Sequence, residues 1–117
     1  MNLIASCALF GAMAAISIAQ AAPTKQSNIY SLMLHAHLCA DAVKLSNIGD
    51  QVQSLKDIER DGPKALAEAG KNQDLRAAVK EYYAAASAYC STPSKALEAQ
   101  MATKESALEL ELKTAGK

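Results

Sequence analysis

Tryptophan is missing from this chain of 117 residues, phenylalanine occurs once, and tyrosine four times. A core without bulky aromatics has to be assembled from small parts, and alanine leads the apolar count. Charge of one sign is missing as well. Twelve basic residues balance twelve acidic ones, which argues against nucleic acid or an anionic membrane surface as a partner. Chemistry-bearing motifs are also absent: there is no nucleophile elbow, no His-Glu-x-x-His, no Gly-rich phosphate loop, no Cys-x-x-Cys and no Cys-x-x-Cys-His for haem. Neither an enzyme nor a bound cofactor is therefore expected. No repeat, β-hairpin signal or Asn-x-Ser/Thr acceptor appears.

What is present begins with an uncharged segment. Residues 1–21 run apolar from Leu3 to Ala19 and end in Ala19-Gln20-Ala21, the small-x-small pattern of a signal-peptidase site. We read 1–21 as a cleaved signal peptide, although the positive n-region is lacking. An uncleaved anchor is the competing reading, because Leu3 to Ala19 is at the lower limit of a membrane span; Ala-Gln-Ala and the following Pro23 favour cleavage. Cys7 does not make a lipoprotein box, since too few residues precede it. Cleavage would leave no membrane segment and a periplasmic or secreted product. Residues 22–27 form an exposed lead-in, 28–114 a single α-helical domain and 115–117 a tail.

Loss of Cys7 leaves an even pair, Cys39 and Cys90, in a compartment where disulfides persist. A bridge closing that loop is worth roughly 4 kcal/mol in the loop-entropy model, a large share of the 5–15 kcal/mol typical of a domain. Both cysteines lie on apolar helix faces. From Ile29 to Asn47, the residues Ile29, Leu32, Met33, Ala36, Cys39, Ala40 and Val43 share one stripe. Leu34, Leu38 and Leu45 form a second strip nearly opposite, so this helix is expected to be central and covered from two directions. Ser27 or Asn28 is the expected cap at its start, and Asn47 and Gly49 the terminators. From Asp74 to Cys90, the residues Leu75, Ala78, Val79, Tyr82, Ala86, Tyr89 and Cys90 again share a face. The fold class is thus all-α, a small bundle of three to four helices with one interhelical disulfide.

Between these two helices, Asp50 and Gln53 resemble a capping box opening a short surface helix over Val52, Leu55 and Ile58 that ends near Asp61-Gly62-Pro63. Pro63 is expected to open a further stretch, Lys64 to Ala69, closed by Gly70, with Asn72 as the next N-cap. This punctuation nominates 61–73 as the most mobile part of the domain. After Ser91-Thr92-Pro93, whose hydroxyls are read as caps and whose proline as the first helical residue, a last helix carries Leu97, Met101, Leu108 and Leu112 on one side, with Leu110 off that face. It lies outside the disulfide loop and its stripe is interrupted by Lys104, so we expect it to be the most detachable helix and the surface for an unknown protein partner or for self-association.

The run from Met33 to Cys39 collects both histidines with soft ligand types suited to copper or zinc. Residues two apart on a helix point about 160° away from each other, so His35 and His37 do not share an ion, and no metal site is expected. The carboxylates Glu59, Asp61, Glu68, Glu81, Glu98, Glu105, Glu109 and Glu111 sit among lysines on expected polar faces, where solvation is the usual role. The functional expectation is a non-enzymatic binding or regulatory module. An export signal followed by a short helical domain with one disulfide also resembles the periplasmic acid-stress chaperones of the Hde type in outline. That resemblance implies chaperone activity in acid and assigns no site residue.

Overall fold

Helix formation here follows from alanine-rich, nearly proline-free segments closed by short polar caps. The computed structural model describes residues 27–116, so the signal-peptide reading lies outside the described residues. Four helices follow one another: α1 (Ser27–Lys44), α2 (Ile48–Ala69), α3 (Gln73–Ser91) and α4 (Lys95–Ala115). The described residues contain no strand. Three-residue connections fold each helix back on its predecessor, so chain neighbours pack against each other, and α1 also reaches α3 across the bundle. That diagonal carries the Cys39–Cys90 disulfide, with the two Cα atoms 6.1 Å apart. The all-α bundle with an interhelical staple is the architecture expected from the two cysteine-bearing faces.

The caps differ from expectation in instructive ways. Asn47 does not end α1, which stops at Lys44; its side chain accepts from the Asp50 amide at 3.0 Å and opens α2. The turn into it passes through Ser46 at φ 55°. Asn72 opens α3 as expected, accepting from the Leu75 amide, and Gly70 closes α2 at φ 62°, in the left-handed region that glycine enters without strain. Ser94, not Ser91 or Thr92, caps α4 by accepting from Leu97, which puts Pro93 ahead of the helix rather than at its first position.

The larger correction concerns α2. It runs unbroken through Asp61-Gly62-Pro63, where the sequence suggested a stop. Proline forfeits one backbone bond inside a helix, but Pro63 is exposed, so water can serve the Glu59 carbonyl left without a partner. Tertiary contacts hold the neighbours. Asp61 and Gly62 are both buried, and Gly62 faces Tyr83 of α3 so closely that a Cβ built there would stand 2.3 Å from the ring. The supposed mobile linker is therefore where α2 meets both of its partners.

The core is composed of Ile29, Leu32, Met33 and Ala36 from α1, Ile58 and Ala65 from α2, and Leu75, Val79, Tyr82, Ala86 and Tyr89 from α3, closed by Met101, Leu108 and Leu112 from α4. Tyr82 is its largest fully buried side chain. Truncating it should remove about 3–5 kcal/mol of stability, whereas His37→Ala, at an exposed position, should cost less than about 1 kcal/mol; urea denaturation of the oxidised variants measures both. At the α2–α3 crossing, overpacking by Gly62→Ala should cost about 1–3 kcal/mol despite alanine's better helix propensity. In a Tyr83→Ala background the same substitution should become stabilising, and an unchanged sign there would refute the close-approach explanation.

Candidate functional site

The first helix is where polar groups gather, and each of its flanks is fastened to a different neighbour. Its first turn contains no acid of its own, so its leading N–H groups need an acceptor from elsewhere. Glu68, in the last turn of α2, supplies it. The carboxylate accepts from Asn28 N at 2.9 and 3.1 Å and from Ile29 N at 3.1 Å, placing a negative charge at the positive end of the helix dipole. Neither Ser27 nor Asn28 plays the capping role expected of it, and Glu68 does not lie on a solvated polar face.

One turn further, α1 presents Ser31 and His35 to α2. Asp57 and Asp61, four residues apart on α2 and therefore on one side of it, receive them. Ser31 Oγ donates to Asp61 Oδ2 at 2.8 Å, and His35 Nδ1 lies 2.7 Å from the same oxygen. His35 Nε2 faces Asp57 Oδ2 at 3.7 Å. Arg60 closes the group from the solvent side, contacting Asp57 at 3.1 Å and Asp61 at 3.2 Å. The Asp61 side chain is only 5% exposed, so the expectation of a solvated carboxylate is overturned. Burial opposes its charge, but hydrogen bonds from Ser31, His35 and Arg60, together with the guanidinium charge, outweigh burial and hold the carboxyl below its ordinary range.

Serine, histidine and aspartate in contact invite comparison with a hydrolytic triad. The wiring is different. In a triad the serine proton goes to imidazole Nε2 while the aspartate holds Nδ1; here Ser31 gives its proton to Asp61, and Nε2 faces a second carboxylate. Such a serine is a fastener, with its hydroxyl proton committed to an acceptor that is itself stabilised as an anion.

The opposite flank of α1 meets α4. His37 Nε2 lies 2.9 Å from the Glu105 carboxylate, which makes Glu105 a tie between helices rather than a merely solvated side chain. The hydroxyl of Tyr82, buried beneath, approaches the same carboxylate without closing a hydrogen bond among the described residues. Burial and the nearby Glu105 and Glu109 charges push that phenol far above its ordinary range. His35 and His37 thus diverge to α2 and α4, as their spacing requires. Among the described residues, no three His, Cys, Asp or Glu side chains are grouped to hold a metal ion.

Between these flanks, the outward stripe of α1 remains uncovered. Leu34, Leu38 and Leu45 are 55%, 45% and 78% exposed, so the helix is not covered from two directions as the sequence suggested. A groove beside this stripe lies between α1 and α2, lined by Leu38, Ala42 and Leu45 together with Asp41, Asp50 and Asp57. The partner residues expected on the last helix lie elsewhere. Met101, Leu108 and Leu112 are in the core, Leu97 is half-buried against it, and Leu110 is the exposed large apolar residue of α4. No described helix is long and apolar enough to cross a membrane.

No family model, curated protein or solved structure matches this chain. The site has to be read from its own geometry.

Because the Asp61 carboxyl is held low in the folded protein, its contribution to stability is present above the unfolded-state value and is lost as pH falls through the folded one. Asp61→Asn should therefore cost about 1–3 kcal/mol at pH 7. The gap to the unsubstituted protein should narrow progressively on titration towards pH 3, as followed by urea denaturation at each pH. A gap independent of pH would mean that Asp61 acts by shape alone.

Proposed function

We propose that this is an exported, non-enzymatic binding module whose contact surface is the outer stripe of α1 and the groove beside it. The observation that carries this reading is the row formed by Leu34 and Leu38 and continued by Leu45 in the turn just after Lys44, held in water along a helix that is fastened on both flanks. Leucines one or two turns apart on one stripe make a continuous apolar ridge, and aligned apolar surface kept exposed is characteristic of interaction sites. The groove adds a chemical preference. It is lined by the aliphatic side chains of Leu38, Ala42 and Leu45 and by the carboxylates of Asp41 and Asp50, with Asp57 already engaged by Arg60, so it suits a protein segment that presents apolar and cationic side chains together. Periplasmic or secreted placement fits the disulfide and the N-terminal sequence.

This reading transfers the partner surface from the last helix to the first. Three of the five last-helix candidates serve the core, so a partner reaching Met101, Leu108 or Leu112 would have to displace α4. A second reading, an acid-stress chaperone, is supported by a separate observation: the ties that hold α1 in place end on carboxylates, and acid would weaken them together. The two readings differ in when binding happens, at neutral pH for the module and only in acid for the chaperone.

The test uses a cationic amphipathic Leu/Lys peptide as probe, titrated by calorimetry or fluorescence anisotropy against the oxidised protein at pH 7. Binding should weaken at least tenfold in Leu38→Glu or Asp41→Lys and fall with added salt, while Leu110→Glu should leave it unchanged. Loss in Leu110→Glu with Leu38→Glu unaffected would return the surface to the last helix. Binding confined to acid, with suppression of client aggregation there, would favour the chaperone.

A further inference from the structure

The bundle has two classes of seam, and they respond differently to protons. Every hydrogen bond or ion pair that leaves α1 for another helix, among the described residues, ends on a carboxylate: Glu68, Asp57 and Asp61 on α2, and Glu105 on α4. The α2–α3 seam is built otherwise. There the Gln51 amide donates to the Cys90 carbonyl at 2.8 Å, and Tyr83 rests on Gly62. The α3–α4 seam has one exposed ion pair, Lys104 with Glu81, over the apolar contacts of Met101, Leu108 and Leu112.

We infer that α1 is an acid-labile arm: proton uptake at Glu68, Asp57, Asp61 and Glu105 unfastens it from α2 and α4, while the Cys39–Cys90 bond keeps it on α3. The inference rests on these ties and not on either reading of function. Protonation removes the anion at the start of α1, and a neutral acid is a weaker acceptor there than a carboxylate. Around Asp57 and Asp61 the facing groups are Ser31 and His35 from α1, with Arg60 and Gln53 from α2 itself; Tyr83 of α3 stands at the adjoining Gly62. Once both acids are neutral, an imidazolium at position 35 stands near Arg60 without a counter-charge, so attraction across the seam becomes repulsion. Around Glu105 the facing groups are His37 from α1 and Tyr82 from α3, and the same loss leaves a cation at His37 unpaired. The hydrogen bonds from Ser31, His35 and Arg60, with the Arg60 charge, resist the change at Asp61, which places full opening well below neutral pH.

The disulfide shapes how the arm opens. Cys39 lies in the second half of α1, so the segment from Ile29 to Ala36, held by Glu68, Asp61 and Asp57, is free to lift while the residues next to Cys39 stay near α3. Opening would uncover Ile29, Leu32 and Met33 together with the core face they cover, in a molecule whose α1 stays tethered to α3 through Cys39–Cys90 and can close again on neutralisation.

The test is hydrogen exchange of the oxidised full domain, corrected for intrinsic rates, at pH 7 and at successive points down to pH 3. Amides from Leu32 to Ala36 should lose at least tenfold in protection before those of α3 and α4 change, with a smaller loss at Ala40 to Val43. At pH 7, Glu68→Gln combined with Asp61→Asn should reproduce this pattern without acid, while Glu81→Gln should not. If the double variant proves unfolded by circular dichroism, Glu68→Gln alone should still speed exchange at the start of α1 by severalfold. Loss of protection in all four helices at one pH, or in α4 before α1, would overturn the inference, as would unchanged α1 exchange in Glu68→Gln.

Discussion

The Cys39–Cys90 bond is the constraint on which the arrangement depends, because it is the covalent link that crosses the bundle. Apart from the His37–Glu105 contact between α1 and α4, every other pairing of helices is between chain neighbours joined by three residues, and such hairpins form wherever two apolar stripes meet in sequence order. A row of hairpins is not yet a bundle. Joining α1 to α3 across the diagonal forces the row to close, and it fixes which faces of α2 and α4 look inward. A bridge of this loop length restricts the unfolded chain by roughly 4 kcal/mol in the loop-entropy model. That matters in a core where the largest fully buried side chain is a single tyrosine and many of the others are alanines.

Small side chains have a second consequence, visible where α2 crosses α3. Helices lined with alanine and glycine approach closely and so offer little apolar area per residue, and buried area is the main source of hydrophobic stabilisation. Gly62 against Tyr83 is the extreme case. The shortfall is met by directional interactions, among them the Glu68 cap, the Ser31–His35–Asp61 contacts and the His37–Glu105 pair. Charge-assisted hydrogen bonds of this kind are individually stronger than neutral ones, but they depend on the charge of the acceptor. A domain stabilised in this way is more sensitive to its medium than one stabilised by leucine and phenylalanine.

Much of the architecture was legible because local and global signals agreed. Cys39 with Leu32 and Ala36, and Cys90 with Tyr82 and Ala86, share faces at helical spacing, and Asn72 and Gly70 punctuate the chain where the helices break. Legibility failed where a tertiary contact overrode local chemistry. Pro63 reads as a stop, and continuity through it rests on Asp61 and Gly62 being engaged on either side of α2. Once α2 is allowed to continue, Asp61 falls seven residues after Ser54 and three after Ile58, on the buried side; that spacing was available in the sequence but hidden by the assumed break. Glu68 left no such trace, since capping another helix from a distance has no signature in a single chain. Leu34, Leu38 and Leu45 misled in the opposite sense, because an apolar strip announces burial whether the cover is the domain itself or something else.

Residue type alone marks the histidines as candidate ligands and the acids as solvated charge; the structure divides them by direction instead. His35 and Ser31 turn to α2, His37 turns to α4, and among the described residues the leucines between them have no remaining helix to meet. These facts are linked. Helix α1 has about 360° of surface, of which the core face and the two polar flanks occupy most; the residual outward stripe cannot be buried without a fifth element. A polar stripe would have served solvation equally well and without the hazard of exposed leucine. Its apolar character is therefore not required by the bundle, and a contact made outside the bundle is the requirement that would account for it. Acid and reduction would act on the support of that stripe in different ways, one releasing α1 from its neighbours and the other removing the tether that limits how far it can go.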